Sequence, residues 1–227
     1  MSKLVVSAFM TLDGITQAPG GPDEDREGGF AHGGWSVPYA DEDMGRIMVE
    51  QFAGMESLLL GRRTYEIFAA HWPRITDEND PVATKLNAMP KYVASRTLDQ
   101  VEWNNAHLLR GDARGNVAEA VAGLKQRSGG EINVQGSSNL IRTLQQHDLV
   151  DAYRLLIEPV VLGTGKRLFA EGTVPAAMKL AAVQQTGSGV LYCTYERAGK
   201  PEYGSFELED YPEKVREMKM VDEGTSP

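Results

Sequence analysis

The chain has 227 residues, of which 41% are hydrophobic and 24% charged, with a formal net charge of -9. That length can bury the core of one domain, with or without an appendage, and no apolar run reaches the roughly 18 residues a membrane-spanning helix needs. An acidic balance argues against general nucleic-acid binding, which requires a basic face, so neither membrane nor nucleic acid is an expected partner.

The N-terminal run MSKLVVSAFM lacks the long apolar core and cleavage site of a signal peptide, and reads as a first strand over 4–10 in a cytoplasmic protein. A glycine- and proline-rich segment, 16–38, follows. It is too long for a simple connector and reads as a lid or an excursion over a site. Helical periodicity then covers 42–53, 64–70, 82–88, 117–126 and 139–147, and strand patterns fall between at 57–60, 91–95, 107–109 and 131–135. Alternation of that kind predicts a parallel sheet with crossover helices. Three more strands, at 150–161, 178–186 and 189–196, come without helices between them. Gln185-Thr186-Gly187-Ser188-Gly189 separates the last two as a hairpin turn, so an antiparallel pair should complete a mixed sheet. Residues 1–198 are thus read as one α/β domain. Residues 199–227 form an acidic tail with a short terminal helix near 211–224; positions 200–227 alone carry -4 of the -9.

Three strand-to-helix corners carry the chemistry. The first is LLLGRRTYEIF, 58–68, where a buried-looking strand leaves through Gly61-Arg62-Arg63-Thr64 into a helix. Arginines at a helix N-terminus oppose its partial positive charge unless an anion is held there, and the exposed amides suit phosphate. Two solvated arginines would be the plain alternative. The second corner is KYVASRTL, 91–98, ending in Ser95-Arg96 at a carboxyl edge, where open α/β sheets bind ligands. The third is EINVQGSSNLIRTL, 131–144, in which Gly136-Ser137-Ser138 turns a strand into a helix with a small, amide-rich bend. Together they suit a ligand with separated phosphates, and a dinucleotide bearing a 2'-phosphate has that distribution.

Rival motifs fail on spacing. LGTGKRLF, 162–169, has Val160 where a P-loop needs its first glycine, and Arg167 where it needs Ser or Thr, so it reads as a turn. No GxGxxG follows the first strand and no GxSxG elbow is present. The four histidines show no metal-ligand spacing, so no metal is expected, and Cys193 sits in a strand pattern as a packed thiol.

MTLDG, LLLGRRTYE, YVASRTL, INVQGSSNLIRTL and LVDAYRLLIEPVVLGTGKRLF, in this order, resemble the dihydrofolate reductase-like superfamily, in the branch of the reductase domain of the bifunctional riboflavin-biosynthesis deaminase-reductase. The resemblance spans about 3–197. It implies a three-layer fold with a mixed, mostly parallel sheet of about eight strands, NADPH across the carboxyl strand ends, a small-molecule substrate and a homodimer. By motif, Gly61, Arg62, Arg63 and Thr64 would hold NADPH phosphates, and Ser95 with Arg96 the 2'-phosphate. Gly136, Ser137 and Ser138 would lie under the pyrophosphate, and Ala8, Gln135 and Leu140 would complete the cofactor set. Gln135 and Ser137 depart from the Gly-Gly of dihydrofolate reductases proper, which points away from folate. Reduction of C=N or C=O needs a proton as well as hydride. Asp13 and Asp41 are the candidate donors, Asp13 also a substrate contact; a turn and a helix cap are their respective alternatives. Trp35 would either stack on a planar substrate or pack the loop. The expected activity is an NADPH-dependent reductase, with a nucleotide-binding module lacking turnover as the rival.

Overall fold

The computed structural model describes residues 1–113, 115–127 and 129–206. Eight strands form one sheet: β1 (Lys3–Thr11), β2 (Met55–Gly61), β3 (Lys91–Ala94), β4 (Ala106–Leu109), β5 (Glu131–Val134), β6 (Ala152–Glu158), β7 (Met178–Gln185) and β8 (Leu191–Arg197). Their lateral order is β4-β3-β2-β5-β1-β6-β8-β7. The pairs from β4 through to β6 are all parallel, whereas β6–β8 and β8–β7 are antiparallel. The expected mixed sheet is present with its C-terminal hairpin. The last strand, however, lies inside, between β6 and the edge strand β7.

Five α-helices connect the parallel strands: α1 (Glu42–Ala53), α2 (Arg62–His71), α3 (Pro81–Ala88), α4 (Ala118–Gln126) and α5 (Ser138–Gln146). Strand β2 shows why three layers result. Its consecutive leucines point alternately to the two faces, as the pleat demands, and all are fully buried. Leu58 and Leu60 join Phe52 of α1, Tyr65 of α2 and Leu86 of α3 on one side. Leu59 joins Val121 of α4 and Leu144 of α5 on the other. Strand β6 is shorter than its apolar run, stopping at Glu158 because Pro159 has no amide to continue the ladder. The terminal helix expected near 211–224 lies outside the described residues.

Lys91 ties two elements together. The side chain is fully buried in β3, and its ammonium donates to the carbonyls of Leu86 at 2.6 Å, Met89 at 2.6 Å and Asn87 at 3.4 Å, at the C-terminal end of α3. It also sits 4.4 Å from the Trp103 ring centroid. A helix C-terminus carries partial negative charge and orphan carbonyls, and here a cation satisfies both. Lys91→Met keeps the stem but strands those carbonyls, so it should lower unfolding free energy by about 3 kcal/mol in urea denaturation without altering the fold.

Candidate functional site

A cleft of about 1450 Å³ opens at the carboxyl ends of β1, β2, β3 and β5. All twelve residues expected to hold the cofactor line it: Ala8 from β1, Gly61 to Thr64, Ser95 and Arg96, and Gln135 to Ser138 with Leu140. The three corners therefore converge on one crevice. Gly111 and Gly115, between β4 and α4, line it too; that loop carries no pattern in the sequence beyond its glycines.

Close backbone approach explains the glycines of the first and third corners. Gly61 N donates to Gly136 O at 3.0 Å, joining the turn after β2 to the turn after β5. A Cβ on Gly61 would stand 2.9 Å from Ser137 N, and one on Gly136, whose φ is 121°, 2.8 Å from Thr64 Oγ1. Neither position accepts a side chain without displacing its neighbour. The peptide bond between Gly136 and Ser137 is cis. Neither α2, after Gly61, nor α5, after Ser137, has a side-chain cap on its first amides. Two helix N-termini thus present amides without side-chain caps among the described residues to the same space, an arrangement that favours anionic oxygens.

The guanidinium groups differ in their commitments. Arg62 Nη1 donates to Thr97 Oγ1 at 3.0 Å and its Nε lies 3.8 Å from Glu66, a loose surface pair. Arg96 is exposed at the cleft wall against Gly115, with no ion pair among the described residues. Ser95 Oγ accepts from the amides of Thr97 at 3.1 Å and Leu98 at 3.0 Å, shaping the corner that presents Arg96. Arg63, by contrast, is bound to Asp25 at 3.0 Å and Glu27 at 2.8 Å.

Those two acids belong to the 16–38 loop, which is a packed structure. Ile15, Ala18, Phe30 and Trp35 form a small core, Trp35 Nε1 donates to Gln17 O at 2.7 Å, and Gln17 Nε2 donates to the carbonyls of Asp25 and Glu27. Trp35 is 7% exposed and does not line the cleft, so its ring packs the loop instead of facing a substrate. Lys166, from the 162–169 turn, holds Asp25 at 2.5 Å and Glu27 at 2.8 Å, making a four-charge clamp with Arg63 at the mouth. Burial pushes the Asp25 carboxyl up, but Lys166, the Glu27 amide and Arg63 outweigh it and hold it below the usual range. Glu27 is lowered by the same partners, Lys166 first. Both carboxylates stay charged near neutrality.

Asp13 and Asp41 are placed elsewhere. Neither lines the cleft. Asp13 accepts from Thr11 Oγ1 at 2.6 Å and from the amides of Gly163 at 2.8 Å and Leu162 at 3.3 Å, which hold its pKa down at about 2, so it ties the turn after β1 to the 162–169 turn. Asp41 caps α1 by accepting from Met44 N at 2.8 Å and also accepts from Ser188 N at 2.8 Å in the β7–β8 turn. Those amides, Met44 first, lower its pKa. The two acids stay ionised, and the structural alternatives for both describe what they do here. Cys193 is buried and its thiol is pushed up by that burial, which leaves it unreactive. No cluster able to hold a metal is present among the described residues.

Several cleft features carry no motif. Part of the lining is apolar, contributed by Met44, Met48 and Phe52 of α1 with Ile67 and Phe68 of α2. Ser7 on β1 lies at its floor, where its Oγ receives the side-chain amides of Gln51 and, at 2.9 Å, Asn133; Gln135 reaches Asn133 Oδ1 at 2.8 Å. Ser36 from the loop also lines the cleft, and its hydroxyl bonds the fully buried Glu158 at 2.8 Å. A lone acid inside the apolar run LLIEPVV was the signal for that pair in the sequence.

The clamp fixes the loop through partly exposed ion pairs, each worth about 0.2–1 kcal/mol and screened by salt. Asp25→Asn combined with Glu27→Gln should therefore raise the rate of limited proteolysis within 16–38, and 1 M sodium chloride should do so in the unsubstituted protein. Unchanged cleavage in both would show that the loop's apolar core alone holds it.

Set beside known proteins, residues 2–192 match the family model described as the RibD C-terminal domain. The uncharacterized protein YyaP of Bacillus subtilis is 29% identical over 199 residues, covering 87% of this chain and 96% of that protein. Among solved structures, a pyrimidine reductase-like protein from Corynebacterium diphtheriae superposes with a TM-score of 0.56 at 12% identity, covering 87% of this chain and 92% of its own. Dihydrofolate reductase from Enterococcus faecalis, solved with NADP(H), gives 0.50 at 16% identity, covering 86% and 96%. These two show the fold. With a match over nearly all of its described length, the chain belongs to the RibD C-terminal domain family.

Proposed function

We propose that this protein is an NADPH-dependent reductase acting on a small heterocyclic or sugar-linked substrate. The observation that carries the reading is that one cleft is lined both by uncapped amides and guanidinium groups and by apolar side chains of α1 and α2.

The residues fit such a cofactor. The amides opening α2 and α5, with Thr64, Ser137 and Ser138 beside them, would hold the pyrophosphate, and Gly61 and Gly136 leave it room. Arg62 and Arg96 would take the additional phosphate; Arg63, already committed to Asp25 and Glu27, would contribute by holding the loop. The bound nicotinamide would supply hydride to an electrophilic carbon. Met44, Met48, Phe52, Ile67 and Phe68 would seat a flat ring and exclude water, which holds reacting atoms together and suppresses side reactions. The family resemblance further suggests a homodimer in the cytoplasm, and no helix among the described residues is long and apolar enough to cross a membrane.

Fluorescence titration with NADPH and NADH tests this. Arg96→Ala should weaken NADPH about 10- to 100-fold, since charge-assisted bonds contribute about 1.5–3 kcal/mol, while leaving NADH nearly unaffected. Gly61→Ala should weaken both by crowding the cradle. Failure of the unsubstituted protein to bind either nucleotide would end the proposal. Binding without oxidation of NADPH on any of a panel of pteridines, pyrimidines and quinones would instead favour a nucleotide-binding module.

A further inference from the structure

Glu158 is the most unusual side chain in the fold. It closes β6 and is fully buried, and among the described residues no lysine or arginine forms an ion pair with it. Its recorded partners are neutral donors, Ser36 Oγ at 2.8 Å on Oε1 and Met10 N at 3.2 Å on Oε2. A carboxylate removed from water without a cation is costly, and two neutral hydrogen bonds offset only part of that cost. Burial accordingly pushes its pKa up to about 7. Ser36 is itself 6% exposed, yet it lines the cleft, so the residue bonded to the buried acid borders the space where a substrate would lie.

The surrounding ionisable groups are committed elsewhere. Arg154, on the same strand, pairs with Glu131 at 2.6 Å; Asp13 beyond β1 and Asp41 before α1 are occupied by amides. Tyr39 and Tyr192 pack about Leu156. The carboxyls that line the cleft are engaged otherwise. Asp25 and Glu27 are held ionised by cations, and Asp80 caps α3 through the amides of Val82 and Ala83. Glu24, which burial also raises, accepts from Gly20 N at 2.7 Å within the loop and serves as the comparison.

We propose that Ser36 and Glu158 form the proton-delivery pair of this cleft, Ser36 Oγ passing its proton to the substrate and drawing a replacement from the carboxyl of Glu158. The inference rests on the reductase reading. As hydride from the dihydronicotinamide forms the new C–H bond, the C=N or C=O π bond breaks and its electron pair takes the Ser36 proton, forming N–H or O–H. The nicotinamide is oxidised and the substrate reduced by two electrons. The Glu158 proton moves to Ser36 Oγ, and the carboxylate is reprotonated from solvent, so each turnover consumes one proton. Glu158 does not itself touch the substrate; its role is a reservoir behind Ser36.

Glu158→Gln, Ser36→Ala and Glu24→Gln in the full chain test it through two readouts. In the ligand-free protein, carbon-13 NMR of the glutamate carboxyls should show one titrating near pH 7, absent from E158Q and retained in S36A. Because the folded state would bind more protons than the unfolded state between about pH 4.5 and 7, stability should fall as pH rises through that window, and fall less in E158Q. With NADPH and whichever pteridine or pyrimidine is reduced, the wild-type kcat should decline above about pH 7. E158Q should lose that limb and about 100-fold in kcat, S36A should lose a similar factor, and E24Q should keep the wild-type profile. NADPH oxidation by E158Q and S36A with wild-type rate and profile would overturn the pairing while leaving the reductase standing. Absence of NADPH binding to the wild type would overturn the reductase reading and the proton role with it, even with a carboxyl titrating near neutrality; nucleotide binding without turnover on any panel member would overturn the proton role and favour the nucleotide-binding module. S36A, which removes only a hydroxyl, decides the matter if E158Q does not fold.

Discussion

One backbone hydrogen bond, Gly61 N to Gly136 O at 3.0 Å, governs the site. It draws the turn after β2 against the turn after β5, which are neighbouring parallel strands, until only hydrogen atoms fit between them. With any side chain at either glycine the two helix starts would stand apart, and their amides would address separate patches of solvent. Pressed together, they form one donor-rich surface. The parallel sheet makes this available, because every strand from β4 to β6 ends on the same rim. The sequence needs only two small residues there to turn a structural edge into a site.

Charge is distributed around that rim with a clear division of labour. Arg96 faces the cleft, Arg62 is loosely engaged, and Arg63 is turned to the loop, where with Lys166 it balances Asp25 and Glu27. An acidic protein thereby keeps a local basic surface, and its net charge of -9 says little about the cleft. The carboxyls follow the same rule. Asp13 and Asp41 stay ionised because amides and hydroxyls solvate them, while Glu158, buried among neutral donors, has its proton affinity raised by that burial. Three acids of similar intrinsic strength are set apart by their surroundings.

The order of elements was legible from hydrophobic period alone, since buried strands such as 57–60 and amphipathic helices such as 139–147 announce themselves by spacing. Which strands lie side by side was not, because periodicity records which face of a residue is buried and nothing about its lateral neighbour; hence the inner place of β8 was missed. The phosphate-like corners could be read because glycine, arginine and serine at a strand-to-helix junction have few other reasons to coincide. Trp35 could not be placed, since an indole suits a ring or a loop core equally well until Gln17 O is seen to accept from it. Asp13 and Asp41 drew attention by lying near strand and helix ends, whereas Glu158 was absorbed into the apolar run that hides it.

The inner position of β8 has a bearing on how the molecule comes into being. Strand β6 touches β1 on one flank and needs β8, made some thirty residues later, to cover the other. A chain emerging from the ribosome can assemble the parallel half early, yet the flank of β6 stays open until synthesis has passed Arg197. The half-sheet bearing the clustered amides can thus be complete before β8 is made, and any cleavage or stalling upstream of residue 191 leaves a molecule with its cradle built and one flank of β6 without its partner strand.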